Sequence, residues 1–506
     1  INSLLRFAKG TTKRLWVRPG TTTHSSDDEM LFLIVYIDRL SERWNFRSDG
    51  IPRVRWVGAP RTAILDSLHL FRCVFFVACW FTLTGCSTHA KRISTPRMLF
   101  YDGRLDECKV GLEKLATARH DRDVVNLDLA VVDLLRGDPL EAEKRLKVAR
   151  DRFDELESKS ITENTLSMWT DEQVRSYAGE DYEKILIRAF LALSNLLHDG
   201  TDAESYTLQL QEKHEELVIR TAERSNRAKP DYQPLPLGFY MRGLLREATL
   251  RDYDDAIRNY EITTGLLPDC MPFQWDLHRA RYGVHSNPGN GVLYVFALVG
   301  RGPYKIEVSE QPTSDALLIA DRIVSAVGPY KLPPTIAPIK IPDITVPISD
   351  VDSVRVSIEG QAIGPTQSIA DIEKLAVDSY EANRSHIVAR AVARRVIKKA
   401  TVAAAKETLQ TDGITSFGMD LAGIAWEATE GADTRCWGLL PRDIQVLRVE
   451  IPRGVAQVQL TPLRGGSPVG GAKHSQVSIS DGRNTYLLCW FPDARSPGQV
   501  LSNPRL

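Results

Sequence analysis

The sequence YMRGLLREATLRDYDDAIRNYEITTGLLP, residues 240–268, decides how the N-terminal half of the chain is interpreted. Its apolar residues recur at steps of three and four, which predicts two amphipathic helices joined by a short turn. We expect the small Ala256 to lie where the two helices approach each other, and Tyr240 and Tyr260 to fill the space between them. Pro268 then ends the second helix, because proline cannot continue an α-helix. The stretch therefore predicts a helical hairpin.

The spacing of Tyr240, Ala256, Tyr260 and Pro268 resembles that of the conserved Trp, Ala, Phe and Pro of a tetratricopeptide repeat. The stretch departs from that repeat at Leu244, where Gly is usual, and at Thr263, where a second Ala is usual. Further units are predicted from the following residues: Leu129, Ala130, Ala142, Leu146 and Ala149 in residues 127–153, Ala203 in residues 182–210, and a half-unit at 100–115. The alternative is an irregular helical bundle. A repeat array is favoured because a single repeat cannot bury its own apolar face.

Upstream of these helices lies the sequence FRCVFFVACWFTLTGCSTHA, residues 71–90. Its apolar run is too short to cross a bilayer but has the length of a signal-peptide core. The run closes on Leu83, Thr84, Gly85 and Cys86, which resemble the lipobox of a bacterial lipoprotein. The resemblance implies a signal peptide over residues 61–86, with Cys86 as the lipidated first residue of the mature chain. It further implies a membrane-anchored protein of the bacterial cell envelope that faces the periplasm.

Residues 1–60 do not fit a secretory signal, which should begin close to the N-terminus. They show no consistent periodicity, so we interpret them as a non-native or disordered extension ahead of the true start. In the alternative interpretation, residues 71–86 are a buried core helix of a soluble cytoplasmic repeat protein.

The second half of the chain changes character after the turn cluster at 286–291. Residues 292–308 are predicted to form a β-hairpin, and residues 330–347 are extended because they are rich in proline. A long Ala-rich helix with a solvated basic face is predicted over 368–410, and a second helix over 417–427. The remaining sequence alternates as strands in a small sheet or sandwich. The predicted fold class is α+β: a helical-hairpin (tetratricopeptide-like) domain over 87–285, followed by a smaller C-terminal α+β module over 286–506.

The stretch ADTRCWGLLPRDIQVLRVEIPRG, residues 432–454, sharpens this assignment. It resembles the closing motif of a family of uncharacterised bacterial secreted lipoproteins with tetratricopeptide-like repeats, and the order of lipobox, helices, strand pair and Ala-rich helix also matches. The resemblance implies an envelope location and a repeat fold but no reaction. From the residues alone, Trp437 and Leu440 are expected to be buried at the helix-to-sheet junction, and Asp433 is expected to pair with Arg435. The functional alternative is a ligand pocket formed by Arg435, Trp437 and Arg448.

No stretch carries the spacing of a metal site, a nucleophile elbow or a phosphate-binding loop, so no catalytic residue, metal or cofactor is predicted. The formal net charge of -1 gives no general attraction to nucleic acid. Cys108, Cys270, Cys436 and Cys489 are expected to be small buried residues, with a Cys436–Cys489 disulfide as the alternative. We therefore predict a lipid-anchored, non-catalytic scaffold whose partners are an envelope protein or peptide and, through its anchor, a membrane. The alternative is an envelope enzyme or small-ligand binder with its site in the C-terminal module.

Overall fold

The computed structural model describes residues 88–162, 176–225, 234–328, 331–333, 336–408 and 431–503. The predicted N-terminal extension, the signal peptide with Leu83, Thr84, Gly85 and Cys86, and the second helix predicted at 417–427 lie outside these ranges. Within them, helices come first and a sheet region follows, and the change from helix to strand falls between Tyr282 and Asn290. The predicted order of a helical part and a strand-rich part is therefore confirmed.

The helical part is built of segments that each pack against the next along the chain. Short turns join several of them, and Gly137 and Gly200 occupy such turns with the positive φ angles that glycine tolerates best. The helices are α1 (His89–Tyr101), α2 (Leu105–Leu115), α3 (Arg122–Leu135), α4 (Pro139–Thr162), α5 (Asp181–Leu196), α6 (Ala203–Ser225), α7 (Pro236–Glu247), α8 (Tyr253–Leu266) and α9 (Met271–Tyr282). Helices α3 and α5 are buried along most of their length, so they form the centre of this part of the chain.

The stretch at 240–268 forms the pair α7 and α8. Tyr240, Ala256 and Tyr260 are buried, and the two tyrosine ring centroids lie 5.7 Å apart. Pro268 lies two residues beyond the end of α8. The close approach of the helices occurs at Gly243, where a Cβ atom would lie 2.7 Å from the Tyr260 ring. Gly243, which permits this contact, lies one residue before Leu244. The glycine of a tetratricopeptide repeat usually stands at the position of Leu244.

The second part of the chain contains strands and two further helices. They are β1 (Asn290–Val299), β2 (Tyr304–Glu310), α10 (Ser314–Val327), β3 (Ile339–Thr345), β4 (Ser353–Ile358), β5 (Gln361–Pro365), β6 (Gln367–Asp371), α11 (Ile372–Thr408), β7 (Asp443–Pro452), β8 (Gly454–Arg464), β9 (Ser467–Pro468), β10 (Lys473–Ile479), β11 (Asn484–Phe491) and β12 (Leu501–Asn503). One sheet has the order β12-β11-β1-β7-β6 and a second has the order β10-β8-β4-β5, with β9 on β8. Strands β2 and β3 form a separate two-stranded sheet.

The predicted hairpin between β1 and β2 is wrong. Strand β1 is apolar from Val292 to Val299 and lies in the middle of the first sheet, parallel to β11 and antiparallel to β7. A strand that is buried on both faces needs a neighbour at each edge, and a hairpin with the half-exposed β2 would not supply this. Gly300 turns the chain out of the sheet with φ +72, and Gly302 donates its N–H to the Leu440 carbonyl at 2.8 Å. Strand β2 therefore pairs with β3 instead.

The two faces of β1 belong to different hydrophobic cores. Tyr294 and Phe296 lie in the core that contains the buried side chains of α1 to α9. Val295 and Ala297 point to the opposite face, where they pack with residues of the second sheet such as Val356. The described chain is thus layered: helices cover one face of the first sheet, and the second sheet covers the other.

Helix α11 packs on α10 and β3 through Val388, Ala389 and Val392. It begins at Ile372, because residues 367–371 form β6 and not the predicted first turn of the helix. Arg390 is exposed, as predicted for a solvated basic face, but Arg394 is only 9% exposed. Arg394 therefore does not belong to the predicted solvated face, because the helix is covered on more than one side.

The alternative of a Cys436–Cys489 disulfide is also wrong, since the four cysteines within the described ranges are free thiols. Cys489 lies on β11 in the core between the two sheets. Cys436 lies in the segment before β7, where its sulfur accepts the Lys305 backbone N–H at 3.3 Å. Cys108 is buried as expected, whereas Cys270 is partly exposed.

Candidate functional site

The segment 431–442, which leads into β7, is held against the helical part by two buried carboxylates. Glu183 on α5 accepts the Trp437 backbone N–H at 2.7 Å, and Asp128 on α3 accepts the Leu439 backbone N–H at 2.8 Å. Both carboxylates are fully buried. A segment without regular secondary structure has free backbone donors, and burying them requires acceptors of this kind. We call this region the junction.

Burial governs the ionisation of both junction carboxylates. It raises the pKa of Asp128 to about 8, although the Arg97 guanidinium and the Leu439 N–H act in the opposite direction. Burial and the nearby Glu180 carboxylate also raise the pKa of Glu183. Glu183 is better solvated by the protein, because it additionally accepts the Tyr177 hydroxyl at 2.6 Å.

Trp437 and Leu440 are buried at this junction, which confirms the structural prediction made for them. The Trp437 ring packs against Phe190 of α5, with ring centroids 5.2 Å apart. The predicted pair of Asp433 and Arg435 is also present, with a guanidinium nitrogen 2.7 Å from a carboxylate oxygen. Burial works against ionisation of Asp433, but the hydrogen bond and charge of Arg435 lower the pKa of this carboxyl below its ordinary value.

Arg435 also connects the junction to the helical part. Its guanidinium donates to the His120 carbonyl at 3.0 Å and lies over the Tyr177 ring, 5.4 Å from the centroid. It lines a cleft of about 350 Å³ between the segment before α5, the segment before β7, and α11. The polar side chains lining this cleft are Ser176, Glu180, Asp181, Lys305, Ser379, Asn383, Arg390, Asp433 and Arg435.

The charges in the cleft are largely paired within the protein. Lys305 is buried and forms an ion pair with Glu180. Burial lowers the pKa of the Lys305 ammonium, but the Glu180 carboxylate outweighs it, so the pKa is raised overall. Arg435 is paired with Asp433, as described above. An arrangement of paired charges can bind a small polar ligand, but it provides no activated nucleophile or general base.

The three residues of the predicted ligand pocket are not brought together in one cavity. Arg435 lines the cleft, whereas Trp437 is enclosed by the helical core. Arg448 lies on β7 in another cluster, where it donates to the His285 carbonyl. It faces Glu247, Arg279 and Tyr294, whose charges or dipoles influence its ionisation.

The cluster around Glu247 was not predicted from the sequence. This carboxylate is fully buried at the end of α7 and accepts two hydrogen bonds from Arg279 of α9, at 2.7 and 2.8 Å. It also accepts the Tyr260 hydroxyl at 2.8 Å. Burial raises the pKa of Glu247, but the hydrogen bonds from Arg279 and His285 dominate and lower it to about 2. The sequence contained a sign that Asp128 is unusual, because this residue interrupts the apolar run of α3. Glu247, in contrast, looks like an ordinary residue at a helix end.

Within the described ranges, no three His, Cys, Asp or Glu side chains converge as a metal site would require. None of the helices in those ranges combines the length and the apolar character needed to cross a membrane. The fold and the junction together define the class of this protein: a mixed helix-and-sheet chain with N-terminal helices and a C-terminal sheet region. Comparison with protein-family models, curated proteins and solved structures finds no match to the chain. The resemblance to bacterial lipoproteins therefore stays a prediction.

Proposed function

We propose that this protein is a lipid-anchored component of the bacterial cell envelope that binds a partner protein or peptide through a tetratricopeptide-like helical array. The anchor is the acylated Cys86, and the array is formed by α1 to α9. The proposal assigns no reaction to the chain. Its mechanism is tethering, since a protein fixed to a membrane holds its partner there at a raised local concentration.

The packing of α7 and α8 supports the repeat interpretation. Tyr240, Ala256 and Tyr260 are buried in the hydrophobic core of the helical part, and the tyrosine rings are in contact. The residues predicted for the earlier units are also buried; they are Leu129, Ala130, Ala142, Leu146, Ala149 and Ala203. Helices that each pack on the next along the chain offer an extended surface for a partner.

The observation that carries the binding proposal is an apolar stripe on α9. Met271, Trp275 and Tyr282 are 55%, 63% and 76% exposed. They and His278 follow one another at steps of four, three and four, so they lie along one face of the helix. Large aromatic residues in such a position are typical of protein contact sites, where Trp and Tyr contribute much of the binding energy. We call this face the α9 stripe.

Metabolic labelling with a fatty acid tests the anchor. The natural chain is expected to incorporate the label, and Cys86→Ser is expected to lose it, because the acyl groups require this thiol. Cys79→Ser is the matched control, since Cys79 lies in the apolar run of the same signal and should be removed with it. Equal labelling of the natural chain and Cys86→Ser would contradict the anchor.

Site-specific photo-crosslinking tests the α9 stripe. A photoreactive amino acid at position 275, in the full chain in intact cells, is expected to give a discrete crosslinked product with a protein or peptide. The control position is Leu318 on α10, which is 66% exposed. Tyr282→Ala should weaken the product formed from position 275, because it removes part of the same contact. The binding proposal fails if positions 275 and 318 give the same pattern.

The cleft at the junction favours a second candidate function, a binder of a small polar ligand in the C-terminal module. Its volume suits a small molecule, and Arg435, Lys305 and Asn383 supply polar contacts. It is the weaker candidate, because the charges of Lys305 and Arg435 are already neutralised by Glu180 and Asp433.

A further inference from the structure

The first turn of α1 is fixed to the body of the protein. Thr88 precedes the helix, and the backbone N–H of Ala90 donates to the Thr434 hydroxyl oxygen at 3.0 Å. His89 is buried, with a ring nitrogen 3.3 Å from an Asp121 oxygen. Cys86 lies three residues before His89, and a chain of that length spans at most about 10 Å. A lipid attached to Cys86 would therefore hold this side of the protein close to the membrane surface.

The surface next to this point is basic. Lys91 on α1, Arg119 on the turn between α2 and α3, and Arg122 at the first residue of α3 are exposed. The turn is adjacent to α1 because Asp121 contacts His89 and also pairs with Arg92 at 2.8 Å. We call the surface formed by Lys91, Arg119 and Arg122 the entry face.

The acidic side chains of the same two segments do not neutralise this face. In residues 88–94 and 116–123, all of which the structure describes, the acids are Asp121 and Asp123, and their side chains are only 1% and 17% exposed. Asp121 is turned inward to His89 and Arg92. The charge that these two segments expose is therefore positive, although the chain as a whole carries a formal net charge of -1.

We propose that the entry face binds the anionic headgroups of a phospholipid bilayer and so fixes the orientation of the anchored protein. This inference rests on the proposed acylation of Cys86, because the short connection to α1 is what brings the face to the membrane. Three basic residues strengthen attachment, since each Lys or Arg near an anionic leaflet raises binding roughly fivefold.

The orientation has a consequence for the rest of the molecule. The junction lies beside the entry face, through the contact between Ala90 and Thr434, and it leads into the Asp443 end of β7. The Pro452 end of β7 is nine residues further along, a distance of roughly 30 Å in an extended strand. It pairs with Asn290 at the start of β1, which follows α9 in the chain. The chain thus runs from the C-terminal end of α9 to the end of the sheet that is distant from the membrane. A partner has access to the α9 stripe at that end.

Vesicle binding of the full chain tests the charge of the entry face. The Cys86→Ser chain, which has no thiol to acylate at that position, is titrated with vesicles of phosphatidylglycerol and phosphatidylcholine and with vesicles of phosphatidylcholine alone. It should prefer the anionic vesicles, and the additional changes Lys91→Gln, Arg119→Gln and Arg122→Gln should reduce binding to them by roughly 100-fold. The matched control replaces Arg251, Arg453 and Arg483 by Gln, removing three exposed charges elsewhere, and should bind like the parent. Equal loss in both triple variants, or no loss in either, would overturn the proposal.

Fluorescence quenching tests the orientation of the acylated chain. A fluorescent amino acid is placed at Thr117, beside the entry face, or at Val455, next to the distant end of β7, and the vesicles carry a headgroup quencher. Quenching is expected at 117 and not at 455, and equal quenching at both sites would overturn the proposed orientation. Mass spectrometry of the same preparation reports the acyl group at Cys86 independently. An acylated chain with equal quenching would refute the entry face and leave the anchor intact, whereas an unacylated chain would refute the anchor.

Discussion

Replacing Glu247 by Gln is expected to lower the free energy of unfolding at pH 7 by about 3 kcal/mol. The carboxylate is fully buried, and the Arg279 guanidinium would lose its charged partner while remaining mostly enclosed. Urea unfolding of the full chain, followed by tryptophan fluorescence, measures the change. Glu261→Gln is the matched control, because Glu261 on α8 forms an exposed ion pair with Arg281 on α9, the helix that also carries Arg279. Exposed pairs contribute at most about 1 kcal/mol.

The effect of Glu247 should also depend on pH in a defined direction. Its pKa in the folded protein is about 2, below the value of about 4.3 for an unfolded chain. The stabilisation is therefore fully present above the unfolded pKa and is lost as the pH falls toward 2. The difference between the natural chain and Glu247→Gln should shrink by about half by pH 3. A difference that stays constant from pH 7 to pH 3, or equals that of Glu261→Gln, would contradict this account.

Asp128 is expected to have the opposite pH dependence. Its pKa is about 8 in the folded protein, far above the value of about 3.9 for an unfolded chain. The folded state therefore holds a proton that the unfolded state releases, and stability falls as the pH rises from 4 toward 8. Asparagine cannot ionise, and its side-chain oxygen can still accept the Leu439 N–H. Between pH 5 and pH 8, the unfolding free energy of Asp128→Asn relative to the natural chain should rise by about 3 kcal/mol.

Asp133 on the same helix provides the control for Asp128. It is also buried, but it forms ion pairs with Lys109 at 2.7 Å and Arg145 at 2.6 Å. Asp133→Asn removes a charge that has two cationic partners, so it should destabilise the protein at pH 8, where Asp128→Asn gains relative stability. If both variants change stability in the same direction between pH 5 and pH 8, the difference in ion pairing is not what distinguishes Asp128 from Asp133.

These two clusters join the helical part to the sheet region. Asp128 and Glu183 hold the segment before β7, and Glu247 holds α9 next to Arg448 of β7. A change at either cluster is therefore expected to disturb both parts of the protein together. This connection bears on the proposed function, because the anchored end and the α9 stripe would then move as parts of one body.

Much of the local structure followed from patterns that are short in sequence. The periodicity of residues 240–268 predicted α7 and α8. The burial of Trp437 and Leu440 followed from their size in a segment bounded by polar residues. Such patterns reflect interactions between residues close together in the chain or the simple partition of apolar side chains, so they can be read without knowing the fold.

The pairing of strands could not be predicted from such short patterns. Residues 292–308 have the turn residues of a hairpin, but β1 is separated by about 150 residues from its partner β7 and by about 190 from β11. The buried carboxylates show the same limit. Glu183 and Glu247 look like ordinary helix residues, and Asp128 stands out only by interrupting an apolar run. The roles of all three depend on donors that are distant in sequence.

The sequence by itself determined the order of a helical part and a strand-rich part and the helix pair at 240–268, and it is the basis of the proposed anchor at Cys86. Only the tertiary structure decided that β1 lies between two cores, that Arg435, Trp437 and Arg448 are separated, and that the segments carrying Lys91, Arg119 and Arg122 are in contact through Asp121. The physical reason is that periodicity reports which side of an element is apolar. Which elements meet, and which charges are left exposed when they do, depends on packing between segments that are far apart in the chain.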